Sequence, residues 1–336
     1  MNLDLLHAIE VNLLTPAVLF FALGVLAATC RSDLKFPDAM YVALTIFLLT
    51  AIGFKGGVAL SVAGLGAVWL PGVAVILLGG LIPLWSYPLL RFLGKFSAVD
   101  AAAIAGHYGS VSAVTFIAAT NFLKEVNQPY EEYAAAFLAV MESPAIIVGI
   151  LLGKLAIRAK STGEVRTATG GGLGAVLHEA VFGRSVFLLV GGLVVGFLCG
   201  KRGMDSVAGF FVTPFQGALA LFLLELGTVA GRRLGDLRKV GAFLIGFGVL
   251  MPVVHGVVGV IIGQLCGLSL GGAVLLAVLA ASASYIAAPA AMRLSLPDAN
   301  PTYFLTGALV ITFPFNVTLG IPLYYAVAQW WFGAGQ

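Results

Sequence analysis

The sequence predicts an all-α polytopic membrane protein: ten transmembrane helices in two inverted repeats of five, with the fourth and ninth helices broken. Three observations predict it. Of 336 residues, 60% are hydrophobic and only 10% charged, with a mean hydropathy of +1.05, whereas soluble chains carry about 25% charged residues. Lys and Arg fall almost entirely in alternate connections between the apolar stretches. Finally, each half contains one long apolar segment interrupted by small and hydroxyl-bearing residues: Gly106-His107-Tyr108-Gly109-Ser110-Val111-Ser112-Ala113-Val114-Thr115, and Ala281-Ser282-Ala283-Ser284-Tyr285-Ile286-Ala287-Ala288-Pro289.

Crossing a bilayer takes about 20 apolar residues, and ten stretches approach or exceed that length. The first, 12–30, follows an N-terminus (Met1 to Glu10) without a positive n-region or small-residue cleavage site, so no removable signal peptide is expected. The second, 39–62, holds Phe47-Leu48-Leu49-Thr50 and Lys55, a side chain expected to snorkel to the interface. After the third, 68–93, the fourth, 99–122, opens with Asp100, suited to the positive end of a helix dipole, and contains the first interruption. The fifth, 131–158, carries Glu142 beside Pro144. Residues 161–181 form a polar and then Gly-rich linker, dividing repeat 1 (1–160) from repeat 2 (182–336). The sixth and seventh lie at 182–200 and 210–230, the latter with Glu225. The eighth, 240–266, carries Pro252 and His255, whose ring is expected to donate to a nearby carbonyl. The ninth, 271–294, contains the second interruption, and the tenth, 302–332, carries Pro314, Asn316 and Thr318 before the interfacial pair Trp330 and Trp331.

Four basic residues, Lys55, Lys124, Lys201 and Arg202, lie in the even-numbered connections, leaving fourteen of the 18 in the odd ones. By the positive-inside rule the odd connections and the central linker are cytoplasmic and both termini extracytoplasmic, in the cell (inner) membrane. Anionic lipid is a secondary partner for Arg232-Arg233 and Arg238-Lys239. The charge therefore has a membrane explanation, and nucleic acid is not a partner. Cys30, Cys199 and Cys266 have neither disulfide nor metal spacing.

The halves echo one another. Phe47-Leu48-Leu49-Thr50 matches Phe222-Leu223-Leu224-Glu225, Ser110-x-Ser112 matches Ser282-x-Ser284, and Pro144 matches Pro314, at offsets of 175, 172 and 170. A repeat with an odd number of helices makes its copy enter from the opposite face. Inverted repeats with paired breaks mark secondary transporters that bind substrate near the midplane. Half-helix N-termini and hydroxyls there can hold a small anion, and the same hydroxyl oxygens can ligate a cation. The substrate residues expected on this basis are Gly109, Ser110, Ser112, Thr115, Ser282, Ser284 and Tyr285; the cation residues are Glu142, Ser112, Thr115 and Asn316.

These residues also carry a family resemblance. The run Gly109 to Thr115 is similar to the first-half break of sodium-dependent bicarbonate transporters of the cyanobacterial type. Leu276 to Ser284, with Pro289, Arg293, Pro297 and Ala299-Asn300-Pro301, resembles that family's second break; Leu237-Arg238-Lys239, Pro252 to Gly256 and Ser269 to Gly272 also match. The resemblance implies a core and a gate domain, a homotrimer, and sodium-coupled uptake of bicarbonate by an elevator-like movement. By this resemblance the chain looks like a divergent, non-cyanobacterial-type member. Tyr285 stands where the family has an acid after its second serine cluster, and Glu142-Ser143-Pro144 where it has Asp-Ile-Pro. The linker is shorter than in cyanobacterial members, where it contributes to docking a PII-like regulatory protein, so that partner is not carried over.

No phosphate loop, zinc-ligand spacing or nucleophile–base set occurs, which points away from an enzyme, and no cofactor is expected beyond the coupling sodium ion. The leading expectation is a secondary active transporter of bicarbonate or another small anion. A transporter of the same fold that carries an organic anion or monocarboxylate, with sodium or with protons through His107, is the alternative. A channel or a membrane receptor is the remaining class.

Overall fold

The computed structural model describes residues 5–160, 182 and 184–334; the central linker lies outside them. Among the described residues there are helices and no strands. Within the described residues, seven helices are long and apolar enough to cross a membrane, or eight if a bent N-terminal pair is one span.

That pair is α1 (Leu5–Leu13) and α2 (Pro16–Thr29), bent by 63°. The expected single span divides because Thr15 caps a new helix, accepting from Val18 N, and Pro16 suits its first turn. Next come α3 (Asp38–Ala63) and α4 (Leu65–Pro88), joined at Gly64 with φ 77°. The fourth expected span is two helices, α5 (Ala98–Gly109) and α6 (Ala113–Glu125), followed by α7 (Ala135–Lys160). In the second half, α8 (Arg184–Phe211) kinks at Gly200 and runs well past the expected end of its span. Then follow α9 (Phe215–Arg232) and α10 (Leu237–Leu265), the latter interrupted at Gly241 with φ 77°. The ninth expected span is α11 (Leu270–Ala281) and the short α12 (Ala288–Ser295). The last helix, α13 (Pro301–Gly333), contains π turns at Thr306–Thr312 and Asn316–Gly320 on either side of Pro314, whose missing N–H disturbs the α-helical ladder there.

The helices pack in two groups. α2 lies along α9, and α3 along α8; α5 packs on α4 and α7, and α10 on α11. The first two crossings are close because glycines face backbone. A methyl group on Gly24 would collide with the Leu224 backbone, and one on Gly227 with the Phe21 backbone. Both interruptions lie deep inside the protein. α5 is buried from Ala101 to Gly109, α6 from Val114 to Ala119 and α11 from Gly271 to Ala281. Leucines of α2 and α4 (Leu19, Leu23, Leu26, Leu77, Leu81) are exposed, as expected of a lipid-facing surface.

The helices before the two breaks match feature by feature. Each follows a residue of positive φ, Lys95 (55°) and Gly267 (77°). Each has a serine N-cap, Ser97 and Ser269, accepting from the amide three residues on. Each ends on an extended serine: Ser110 at φ −85°, ψ 171° and Ser282 at φ −84°, ψ 167°. Every pair is separated by 172 residues.

Candidate functional site

The two breaks touch. Ser112 N donates to Ser282 Oγ at 2.9 Å, and Ser284 N donates to the carbonyl oxygen of His107 at 2.9 Å. Each interruption thus satisfies a backbone donor of itself on the other, which answers the objection to irregular backbone at membrane depth. Two serines also start the helices that leave the breaks. Ser112 Oγ accepts from Thr115 N at 3.2 Å at the N-terminus of α6, and Ser284 Oγ accepts from Ala288 N at 3.2 Å at that of α12. Both positive helix ends therefore lie at this junction.

A chain of hydroxyls crosses it. Thr115 Oγ1 donates to Ser112 Oγ at 2.9 Å, and Ser112 Oγ donates to Tyr285 Oη at 3.2 Å. The phenol's own hydrogen has no protein acceptor among the described residues. The Tyr285 ring meets Phe313 edge-on, with centroids 5.3 Å apart. Ser112, Thr115, Ser282, Ser284 and Tyr285 are all buried.

Beside this chain is a small cavity of about 10 Å³, room for about one water-sized body. Ser112, Ser284, Tyr285 and Glu142 form its polar wall, and Leu49, Leu138 and Leu189 its apolar one. Glu142 is 4% exposed, and its Oε2 has no hydrogen-bond partner. A buried carboxyl oxygen without a donor is costly, and here the carboxylate shares a cavity with three hydroxyl-bearing residues. Hard oxygens around a carboxylate suit an alkali cation. Among the described residues no group of three or more His, Cys, Asp or Glu could hold a metal ion.

Not every expected site residue reaches the cavity. Ser110 is buried on the other side of the break, its Oγ 3.5 Å from the backbone oxygen of Glu142. Gly109 packs against α4, where an added methyl would meet the Pro83 ring. Ser282 supports Ser112 and turns its own hydroxyl to Leu279 O at 2.9 Å. Asn316 lies apart: its amide donates to Ala281 O at 2.8 Å, capping the end of α11, and its Oδ1 accepts from Tyr324 Oη at 2.7 Å. Thr318 turns back onto Pro314 O.

The other membrane ionisable residues sort clearly. His107 Nδ1 bonds Ala103 O at 2.7 Å, and the ring stacks on Phe304 with centroids 4.4 Å apart. His255 does not donate to a carbonyl; its Nε2 accepts from Trp85 Nε1 at 2.9 Å. Asp100 lies in the first turn of α5 but Ser97, not Asp100, caps that helix; its carboxylate accepts from Ser97 Oγ at 2.6 Å and from Asn300 N at 2.8 Å. Lys55 stands with its ammonium 4.1 Å from the Phe215 ring centroid. Sequence reasoning missed the apolar lining from Leu49, Leu138 and Leu189. Nothing in a leucine's identity within an apolar helix signals that it faces a site.

The chain matches the family described as the Na+-dependent bicarbonate transporter superfamily over residues 16–329. No curated protein matches it.

Proposed function

Because the chain belongs to the Na+-dependent bicarbonate transporter superfamily, and so to a family of transporters rather than enzymes, we propose that it carries bicarbonate into the cell together with sodium. The seat is the junction of the two breaks, where the cavity, sized for about one water in this conformation, widens to admit the anion. Ser284 and Tyr285 offer hydroxyls to the anion, with Ser112 aligning the phenol, backed by the N-termini of α6 and α12. Gly109, Ser110 and Ser282 shape the backbone, Thr115 orients Ser112, and Asn316 holds the end of α11. Glu142, with the oxygens of Ser112 and Thr115, takes the cation.

The observation that carries this reading is the unpartnered Glu142 oxygen in one cavity with three hydroxyls. It also supplies the coupling. A bicarbonate beside an ionised Glu142 would place two negative charges together at low dielectric, where repulsion is strong. A cation on Glu142 cancels one of them, so each solute raises the affinity for the other. Tyr285 adds a donor where the resemblance has a second acid, which lowers the negative charge the anion meets. A proton on Glu142 would neutralise it equally well.

Ten spans in two inverted repeats of five are supported by the features matched at 172 residues and by the burial of both breaks. The charge asymmetry supports extracytoplasmic termini. The two packing groups support an elevator: α4–α7 and α10–α13 move as a core against a gate of α2, α3, α8 and α9. Labelled bicarbonate uptake into proteoliposomes, under a sodium gradient or a choline substitute, tests the proposal. Accumulation with sodium alone is the expected result. No accumulation under either condition overturns bicarbonate as substrate, and sodium-independent uptake that follows a pH gradient assigns the coupling to protons.

A further inference from the structure

A second and much larger space lies between α3, α6, α8 and α9: a chamber of about 800 Å³. That falls within the roughly 300–1,000 Å³ of small-molecule sites and far exceeds the needs of a four-heavy-atom bicarbonate. Lys55, Lys124 and Lys201 line it, three of the four basic residues found in the basic-poor connections. Two carboxylates, Glu132 and Asp205, line it as well. Yet neither carboxylate forms a salt bridge within 4 Å with any of the three ammoniums. Lys55 is half-buried and held on the wall by the Phe215 ring, within reach of the fields of both Lys124 and Glu132. Three ammoniums against two carboxylates leave the lining positive, and that field favours an anion.

The rest of the lining is largely apolar, with Ile52, Phe116 and Tyr133 beside Phe215. We propose that this chamber is a binding site for organic carboxylates with an apolar body, separate from the seat at the breaks. The carboxylate pairs with Lys55 and Lys124, Lys201 adds to the positive field at the wall, and the body lies on the aromatic floor. The floor is one helical turn from the small cavity. Ile52, Phe116 and Ala135 line the chamber, and Leu49, Ala113 and Leu138, three residues away on the same segments, line the cavity, a separation of about 5 Å along a helix. A carboxylate lodged there also obstructs the approach of a smaller anion. That second effect rests on the transport proposal; the binding does not.

The probe is 4-phenylbutyrate, with neutral 4-phenylbutanol as its control for partitioning into lipid. Both are titrated by calorimetry and thermal shift on the full chain in phosphatidylcholine nanodiscs. The acid is expected to bind and raise the melting temperature, with the alcohol at least tenfold weaker. Lys55→Gln with Lys124→Gln is expected to weaken the acid at least fivefold, and Lys124→Arg to retain it within twofold. Equal binding of acid and alcohol overturns the proposal, as does undiminished acid binding by the double variant. Should that variant not fold, the exposed single change Lys124→Gln decides: a loss of at least threefold supports the site and none overturns it. Saturating bicarbonate that displaces the acid completely overturns the separateness of the two sites.

Discussion

Glu142 is the one carboxylate that enters the small cavity, and its Oε2 meets no donor there. A carboxylate kept in a buried place without a partner costs stability, so its replacement by a neutral isostere should not unfold the protein. Glu142→Gln is expected to leave the melting temperature unchanged or raised, and to lower sodium-driven bicarbonate uptake at least tenfold, with uptake no longer responding to sodium concentration. Uptake that still rises with sodium would place the cation elsewhere. Tyr285 works differently. It accepts from Ser112 and keeps a phenol hydrogen to offer, whereas a carboxylate at that position would have offered only acceptors.

The broken helices are held as elements by caps and cross-links rather than by length. Asp100 receives the Asn300 amide, and Glu131 receives the Ser269 amide at 2.7 Å, so a carboxylate near the start of one helix ties down the start of another in each case. Neither α11 nor α12 is long enough to cross a bilayer alone, and their positions depend on such contacts. The α2–α9 and α3–α8 crossings depend instead on the absence of side chains. At the α2–α9 contact the Gly227 position touches the backbone of Phe21, which cannot rotate away. Gly227→Leu is expected to force the helices apart and destabilise the protein by about 1–3 kcal/mol, read as a lower melting temperature in detergent. An unchanged melting temperature would mean the crossing tolerates separation. The unbroken spans were legible in the apolar runs, because the bilayer sets their length. The bend before Pro16 was not, since hydropathy averages over a turn that Thr15 and Pro16 create.

Across the whole molecule, the α2, α3, α8, α9 group meets the rest along a seam that includes the chamber. Asn121 on α6 and Gln216 on α9 span it with a reciprocal amide pair, at 2.9 and 2.7 Å. If the core slides past the gate, these two residues must part. With Cys30, Cys199 and Cys266 replaced by serine, Asn121→Cys and Gln216→Cys bridged by Hg(II) is expected to abolish uptake, and a thiol reductant to restore it. Full bridging with uptake intact would exclude relative movement of α6 and α9. The same seam explains why Lys55, Lys124 and Lys201 share a chamber: they come from three segments distant in sequence but adjacent across the two helix groups.

The sequence by itself determined the membrane class, most of the span positions and the locations of both breaks. These follow from local chemistry: apolar length, the placement of basic residues, and Gly and Ser runs that an uninterrupted helix would not favour. It also singled out Ser112, Ser284, Tyr285 and Glu142. Tertiary structure alone decided which candidates meet. It brought those four to one cavity, turned Ser110 and Asn316 to other backbone partners, and gave Leu49, Leu138 and Leu189 to the lining. Contacts such as Ser112 N to Ser282 Oγ span 170 residues. Which side of a helix faces its neighbour depends on the packing of all the others, and no local pattern encodes it.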